Sequence, residues 1–150
     1  MTMIDRWMEL AIREARTGAS EGGIPIGSVL TSGRKLLGAG HNRRVQQDDP
    51  ILHAEIDCLR ATGRLQSHAG LTLYSTLMPC YMCAGAVVQF DIRRVIVGES
   101  RTFEGAADFM RSHGVDVVDL ELDVCYEMLQ AFIHESPAIW YEDIGTDIQQ

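Results

Sequence analysis

The decisive stretch of this 150-residue chain runs from residue 71 to residue 98 and reads LTLYSTLMPCYMCAGAVVQFDIRRVIVG. It begins with a strand-like segment, Leu71–Thr76, and ends with a short β-branched segment, Arg94–Gly98. Between them, Cys80–Phe90 has the pattern of a helix with small residues that allow close packing. A strand, a helix and a second strand in this order predict part of a layered α/β protein.

Helical and strand-like patterns also alternate on both sides of this stretch. Before it, the sequence predicts a helix over residues 4–16, a hairpin of two strands over 24–30 and 35–40, and a helix over 53–62. After it, the sequence predicts a helix over 104–113, a strand over 115–120, a helix over 123–135 and a short carboxyl-terminal segment over 138–145. The helix ends are predicted near Gly18, at Gly63 and at Pro137. The fold class is therefore a three-layer α/β/α sandwich around a five-stranded mixed sheet, mostly parallel, with the hairpin as its antiparallel pair.

The composition is that of an ordinary soluble protein, with 46% apolar and 23% charged residues. No apolar run approaches the roughly 18–20 residues of a membrane span, so a membrane partner is not expected. The amino terminus has no basic flank followed by an apolar core, which argues against secretion. We therefore expect a cytoplasmic location.

The net charge of −8 is unevenly distributed along the chain. Residues 1–101 have a balance of +2, whereas residues 102–150 contain 11 acids and one base, Arg111, a balance of −10. Proteins that hold tRNA or DNA usually present patches of Lys and Arg, but this chain has a single lysine, Lys35. A nucleic-acid partner is therefore disfavoured, and a small uncharged or cationic molecule is favoured.

Three residues have the types and positions of zinc ligands. Cys80 and Cys83 lie three residues apart at the start of a predicted helix, so both sulfurs face the same way. Pro79 suits the helix start, and the helix amino terminus favours the thiolate form that binds zinc. His53, at the start of another predicted helix, supplies a third ligand. Two sulfurs and one nitrogen predict one Zn²⁺ per chain, with a fourth position open to water.

Glu55 is the candidate acid and base of this site. It lies two residues after His53, too close for both to be ligands comfortably, yet near enough to touch a water on the metal. A carboxylate there can take a proton from the water and deliver it to a substrate. The pattern H-x-E…P-C-x-x-C is recognised as that of zinc-dependent base deaminases.

Other interpretations of the cysteines and histidines remain open at this point. A lone C-x-x-C pair is often a redox motif or part of a structural zinc site. A structural site needs a fourth Cys or His nearby, but Cys58 points elsewhere on its helix and Cys125 falls in an apolar stripe, as a buried thiol does. His41, beside a strand end, is interpreted as a surface or packing residue, with a role in supporting the residues of the site as the alternative. The combined motif favours catalytic zinc over both alternatives.

At these motifs the chain resembles the cytidine-deaminase-like superfamily, and within it the free-base cytosine deaminases of the fungal type. The resemblance covers nearly the whole chain. It is carried by residues 21–27 (EGGIPIG), 40–42 (GHN), 52–55 (LHAE), 76–83 (TLMPCYMC), 97–99 (VGE) and 140–145 (WYEDIG). The zinc motif is shared across the superfamily, whereas the carboxyl-terminal motif is narrower and points to cytosine deaminase. The resemblance implies a single CMP/dCMP-type deaminase domain over residues 1–150, with residues 138–150 as a lid, and a homodimer.

The resemblance also implies a set of contacts with a free base. Asn42 is expected to hydrogen-bond the polar edge of the ring, and Asp143 to accept from a ring N–H. The backbone N–H of Ala54 is expected to donate to the ring carbonyl, and Phe103 and Trp140 to pack against the base. Without the resemblance, Asn42 is equally a turn residue, Trp140 an ordinary anchoring aromatic and Asp143 a solvated acid.

Two positions depart from the fungal pattern. Position 78 is Met in place of a small polar residue, and position 54 is Ala in place of Gly. A bulkier Met78 can change which amino group of a base faces the metal, so isocytosine, or another aminated base such as guanine, is an alternative to cytosine. Two further hypotheses are a tRNA adenosine deaminase and a zinc module without catalysis. The leading one is hydrolytic deamination of free cytosine to uracil and ammonia.

Overall fold

The computed structural model of the protein describes residues 3–146. Five strands form one sheet in the order β2-β1-β3-β4-β5. The strands are β1 (Gly27–Ser32), β2 (Lys35–His41), β3 (Leu71–Leu77), β4 (Arg94–Glu99) and β5 (Asp116–Asp119). The helices are α1 (Arg6–Ser20), α2 (Ala54–Thr62), α3 (Tyr81–Gln89), α4 (Ala107–Ser112), α5 (Asp123–Glu135) and α6 (Pro137–Asp143).

The sheet is mixed, as the sequence predicts, but it is less parallel than expected. Strand β1 runs antiparallel to β2 and also to β3, where Ser28 pairs with Ser75. The pairs β3–β4 and β4–β5 are parallel. Because α2 crosses over between β2 and β3, β3 takes the free edge of β1 and runs in the direction of β2. Strand β1 thus lies between β2 and β3, which share one direction, and two of the four strand pairings are antiparallel.

Helices cover both faces of the sheet, which confirms the three-layer α/β/α architecture. On one face, Met8 of α1 and Cys125 of α5 pack with Val29 and Tyr74 of the sheet. On the other face, the buried core joins strand residues to α2, α3 and α4 through Cys58, Val87 and Met110. Neighbouring strand residues alternate between these two cores, as the pleat requires. Within residues 3–146, no helix combines the length and the apolar character needed to cross a membrane.

Two residues that were predicted to end helices have another role in the structure. Helix α1 passes Gly18 and continues to Ser20. A Cβ at Gly18 would lie 3.1 Å from the ring of His41, so this glycine serves helix packing rather than termination.

The second residue is Pro137. Helix α5 spans residues 123–135 as predicted, but Pro137 is the first residue of α6, a position where its missing N–H costs nothing. The short carboxyl-terminal segment is therefore a helix, Pro137–Asp143, that turns back over the end of the sheet. Residues 147–150 of the predicted lid lie outside the described residues.

Candidate metal centre and pocket

The metal centre lies where the amino-terminal ends of α2 and α3 meet. His53 directly precedes α2, Cys80 directly precedes α3, and Cys83 is in the first turn of α3. The Nδ1 atom of His53 is 3.5 Å from the Sγ of Cys80 and 3.9 Å from the Sγ of Cys83. All three ligand atoms lie within 4.8 Å of one another. The structure therefore brings together the three ligands that the sequence predicts.

The donor set fits zinc. Two thiol sulfurs and one imidazole nitrogen are ligands that Zn²⁺ prefers, and three of them leave one coordination position open. A hydrogen bond from Cys83 and another with His53 lower the pKa of Cys80 to about 4, while the same bond and burial raise the pKa of Cys83 well above its usual range. The pair thus shares one proton, and a divalent cation would favour the thiolate of both.

His53 is oriented by Asp143, a residue of α6. The Nε2 atom of His53 is 3.2 Å from Oδ1 of Asp143, so its other nitrogen, Nδ1, faces the two sulfurs. Burial opposes a charged imidazole here, but hydrogen bonds with Asp143 and Cys80 outweigh it and raise the pKa of His53 to about 10. A carboxylate on the outer nitrogen of a metal-binding histidine is a common way to hold its ring in place.

Asp143 also contacts the candidate base-binding side chain. Its Oδ1 accepts a hydrogen bond of 3.2 Å from Nδ2 of Asn42, and Nε of Arg44 lies 3.9 Å away. Asn42 is fully buried, and its Oδ1 accepts from the backbone N–H of Arg44. Arg44 also donates to Glu142, the neighbour of Asp143 on α6. The carboxyl-terminal helix is thus tied both to the metal centre and to the loop after β2.

Glu55 lies in the first turn of α2 and is almost completely buried. Burial raises the pKa of its carboxyl group to about 7. Ala54 begins the same helix, so its backbone N–H is free of the helical hydrogen-bond ladder. The two residues that follow the metal ligand His53 therefore offer a backbone donor and a proton acceptor to the same space.

That space is a cavity of about 360 Å³, a size typical of sites for small molecules. Eight of the residues predicted for the site form its walls: Asn42, His53, Ala54, Glu55, Met78, Cys80, Phe103 and Asp143. Cys83 and Trp140 lie outside the wall formed by the described residues. Trp140 is buried behind Phe103, edge-on to it with ring centroids 6.3 Å apart, so its contact with a base stays a prediction.

Met78 is a buried part of this wall. Its backbone N–H donates to the carbonyl of Glu99, which fixes the residue at the end of β3. Gly105 has a positive φ of 66°, and a Cβ there would lie 2.6 Å from Cγ of Met78. The loop after Phe103 is therefore packed closely against the Met78 side chain, which leaves that side chain little freedom.

Several wall residues were not singled out by sequence reasoning. They are Ile26, Pro50, Leu77, Tyr81, Met82, Ile144 and Gly145. Most of them lie inside the motifs already quoted. Their position within a motif is therefore the signal by which the sequence could have identified them. Pro50 has no such signal, because it reaches the cavity through the loop that precedes α2.

Comparison with known proteins places this geometry among deaminases. The model of the cytidine and deoxycytidylate deaminase zinc-binding region matches residues 1–99. The chain is 41% identical to the cytosine deaminase of Candida albicans over 149 residues, which is 97% of this chain and 99% of the relative. It is 34% identical to the tRNA-specific adenosine deaminase of Bacillus subtilis, over 90% of this chain and 91% of that protein.

A solved structure from studies of A-to-I editing by tRNA:A34 deaminases at the wobble position of transfer RNA is also similar. It has a TM-score of 0.72 and 33% identity, and the match covers 82% of this chain and 98% of that one. Proteins with this fold and motif thus include some that act on a base and some that act on tRNA.

Proposed function

The chain belongs to the zinc-binding cytidine and deoxycytidylate deaminase family, and on that premise we propose that it hydrolyses free cytosine to uracil and ammonia. Zinc-dependent hydrolytic deamination is the activity common to this family, and His53, Cys80 and Cys83 form its zinc site. We further propose that residues 1–150 are one deaminase domain whose carboxyl-terminal segment is a lid. The homodimer implied by the resemblance stays a prediction.

In the proposed reaction, Glu55 moves the protons. When zinc is bound by the three ligands, it supplies a Lewis acid that lowers the pKa of a water towards ~7. Glu55 takes a proton from this water and passes it to ring N3, which makes C4 electrophilic. The water oxygen then bonds to C4 as a hydroxyl group. Glu55 transfers the proton of this hydroxyl to the amino nitrogen, the bond between C4 and that nitrogen breaks, and ammonia leaves as C4 becomes a carbonyl. Cytosine and water thus become uracil and ammonia.

The remaining wall residues hold the base. Asn42 and Asp143 offer one amide and one carboxylate to its polar edge, and the backbone N–H of Ala54 donates to its carbonyl. Phe103 and Met78 provide the apolar surfaces against the ring. Met78 also makes isocytosine, or another aminated base such as guanine, the alternative substrate, since its bulk affects how the ring is oriented.

The position of the carboxyl-terminal segment beside the cavity is the observation that carries the choice of a free base. Asp143, Ile144 and Gly145 form part of the cavity wall, and Asp143 is held there by His53 and Asn42. A base within a polynucleotide would have to enter beneath this segment together with its sugar and phosphates. The 10 negative charges in excess over residues 102–150 oppose such a ligand, which favours a free base over tRNA.

Ammonia release from a panel of substrates tests this proposal. We expect turnover of free cytosine and at least about 100-fold lower kcat/KM for cytidine, because the proposed lid leaves less room for a base that carries a ribose. Isocytosine and guanine are measured in parallel to distinguish the alternatives. Equal or higher activity on nucleosides refutes the free-base proposal, and tight, salt-sensitive binding of tRNA in a gel shift supports the tRNA alternative.

The variant Asp143→Asn tests the link between α6 and the metal centre. We expect about 10- to 100-fold weaker zinc binding, because an amide is a poorer acceptor for Nε2 of His53. The measurement is competition with a chelator for zinc. Glu142→Gln is the matched control, since Glu142 is on the same helix but pairs with Arg44 rather than with a metal ligand. Equal zinc affinity in Asp143→Asn and the wild type would contradict this role.

A further inference from the structure

The side chain of His41 is enclosed between two carboxylates. It lies at the end of β2 and is 3% exposed. Its Nδ1 is 2.7 Å from Oε2 of Glu14 in α1, and its Nε2 is 2.8 Å from Oε1 of Glu21, just after that helix. His41 is therefore buried and not at the surface, and its two carboxylate neighbours are partners that the sequence does not reveal.

Both ring nitrogens of His41 lie within hydrogen-bond distance of a carboxylate oxygen. An imidazole ring carries at least one N–H group, so it donates to at least one of the two carboxylates. The hydrogen bond with His41 is also the main reason why the pKa of Glu21 is lowered. One ring thus links the end of β2 to α1 and to the residue that follows α1.

This cluster fixes the end of β2 from two sides. The ring of His41 packs against Gly18 of α1, where a Cβ would lie only 3.1 Å away. Its backbone N–H donates to Oδ2 of Asp57 in α2 at 3.0 Å. One residue is therefore attached through its side chain to α1 and through its backbone to α2, the helix that carries the metal ligand and Glu55 at its start.

The next residue is Asn42, which forms part of the cavity wall. Its backbone N–H donates to the carbonyl of Ile26, and its side chain is directed between Arg44 and Asp143. The position of this amide depends on the backbone at residues 41 and 42. A shift of that backbone would move the amide away from the edge of a bound base.

We propose that His41 is a positioning residue for substrate binding, whose ring ties β2 to α1 and thereby holds Asn42 in place against the cavity. This proposal rests on the proposed function, in which Asn42 contacts the base. Its geometric basis is the pair of contacts from the two nitrogens of one ring, at 2.7 Å to Glu14 and 2.8 Å to Glu21. His41 acts on the base only through its neighbour.

The test is His41→Gln, compared with the wild type in cytosine turnover and zinc content. A glutamine side chain carries its donor and acceptor on one terminal amide, so it cannot contact two carboxylates on opposite sides as the ring does. We expect KM to rise about tenfold or more, the size of one hydrogen bond to a charged group, with kcat changed less than about threefold. Zinc content should equal that of the wild type. His134→Gln, at an exposed histidine of α5, is the control and should change neither constant.

A double-mutant cycle separates positioning from a merely structural role. If His41 acts through Asn42, adding His41→Gln to Asn42→Ala should lower kcat/KM no further than Asn42→Ala alone. Additive losses, or a lower Tm with an unchanged KM, overturn the proposal. If His41→Gln does not fold, Glu21→Gln removes one acceptor from a partly exposed residue and is expected to raise KM in the same way. Absence of turnover in the wild type would refute the proposed function, whereas turnover with unchanged KM in the variants refutes only the role of His41.

Discussion

Glu55→Gln is expected to retain zinc and to lose turnover almost completely. The amide keeps the shape of the side chain but can neither take a proton from water nor deliver one to a base. Since Glu55 is proposed to move protons both at the attack and at the departure of ammonia, kcat should fall by roughly 10³- to 10⁴-fold. Ammonia release from cytosine gives kcat, and chelator competition gives zinc affinity.

The matched control for this variant is Glu104→Gln, at an exposed acid in the loop after Phe103. It makes the same change of charge outside the cavity and should leave kcat near that of the wild type. This pair of variants also separates the enzyme from a zinc module without catalysis. The module predicts that neither the wild type nor Glu55→Gln releases ammonia from any nucleobase, and substantial activity in Glu55→Gln would contradict the proton-transfer role.

The metal centre could be predicted from sequence because its information is local. Cys80 and Cys83 are one helical turn apart at a helix start, and His53 begins another helix, so residue type and spacing define the ligands. The layer architecture was predictable for a similar reason, since the periods of helix and strand repeat along the chain. Both depend on neighbours within a few residues.

The partners of these residues depend instead on long-range packing. The contact of Asp143 with His53 joins positions 90 residues apart and follows from the direction in which α6 leaves α5. Pattern alone leaves Asp143 as a solvated acid in an acidic region, and the resemblance implies only a contact with the base. The position of α6 depends on Pro137, which begins a helix here although the sequence prediction used it to end one.

The same limit applies to His41. Its two partners, Glu14 and Glu21, are 27 and 20 residues away in the chain. Glu14 lies in α1 and Glu21 directly after it, and from sequence both acids are expected on the solvent side. Burial of a polar ring costs free energy unless hydrogen-bond partners surround it, and these partners can be identified only in the folded structure. The pairing of β3 with β1 is another long-range feature that a strand pattern does not contain.

Removal of a zinc ligand is the second change with a large expected effect. Cys80→Ser replaces a soft thiolate by a hydroxyl that Zn²⁺ binds poorly, so zinc content at micromolar metal should fall at least about tenfold. Turnover should fall at least about 100-fold, because the Lewis acid is lost together with the activated water. Metal analysis of the purified protein and ammonia release measure the two effects.

Thermal unfolding provides an independent readout of the same ligand. A metal that binds only the folded state, at a free concentration of 1,000 times its Kd, stabilises that state by about 4 kcal/mol. Zinc should therefore raise the Tm of the wild type by several degrees and leave the Tm of Cys80→Ser nearly unchanged. Cys125→Ala is the control, because this thiol is buried between α5 and α1, away from the cavity wall. It is expected to lose some stability through packing yet keep both its zinc content and its zinc-dependent rise in Tm. Equal zinc binding by Cys80→Ser and the wild type would exclude Cys80 as a ligand, and the sulfur cluster at the start of α3 would then need another explanation.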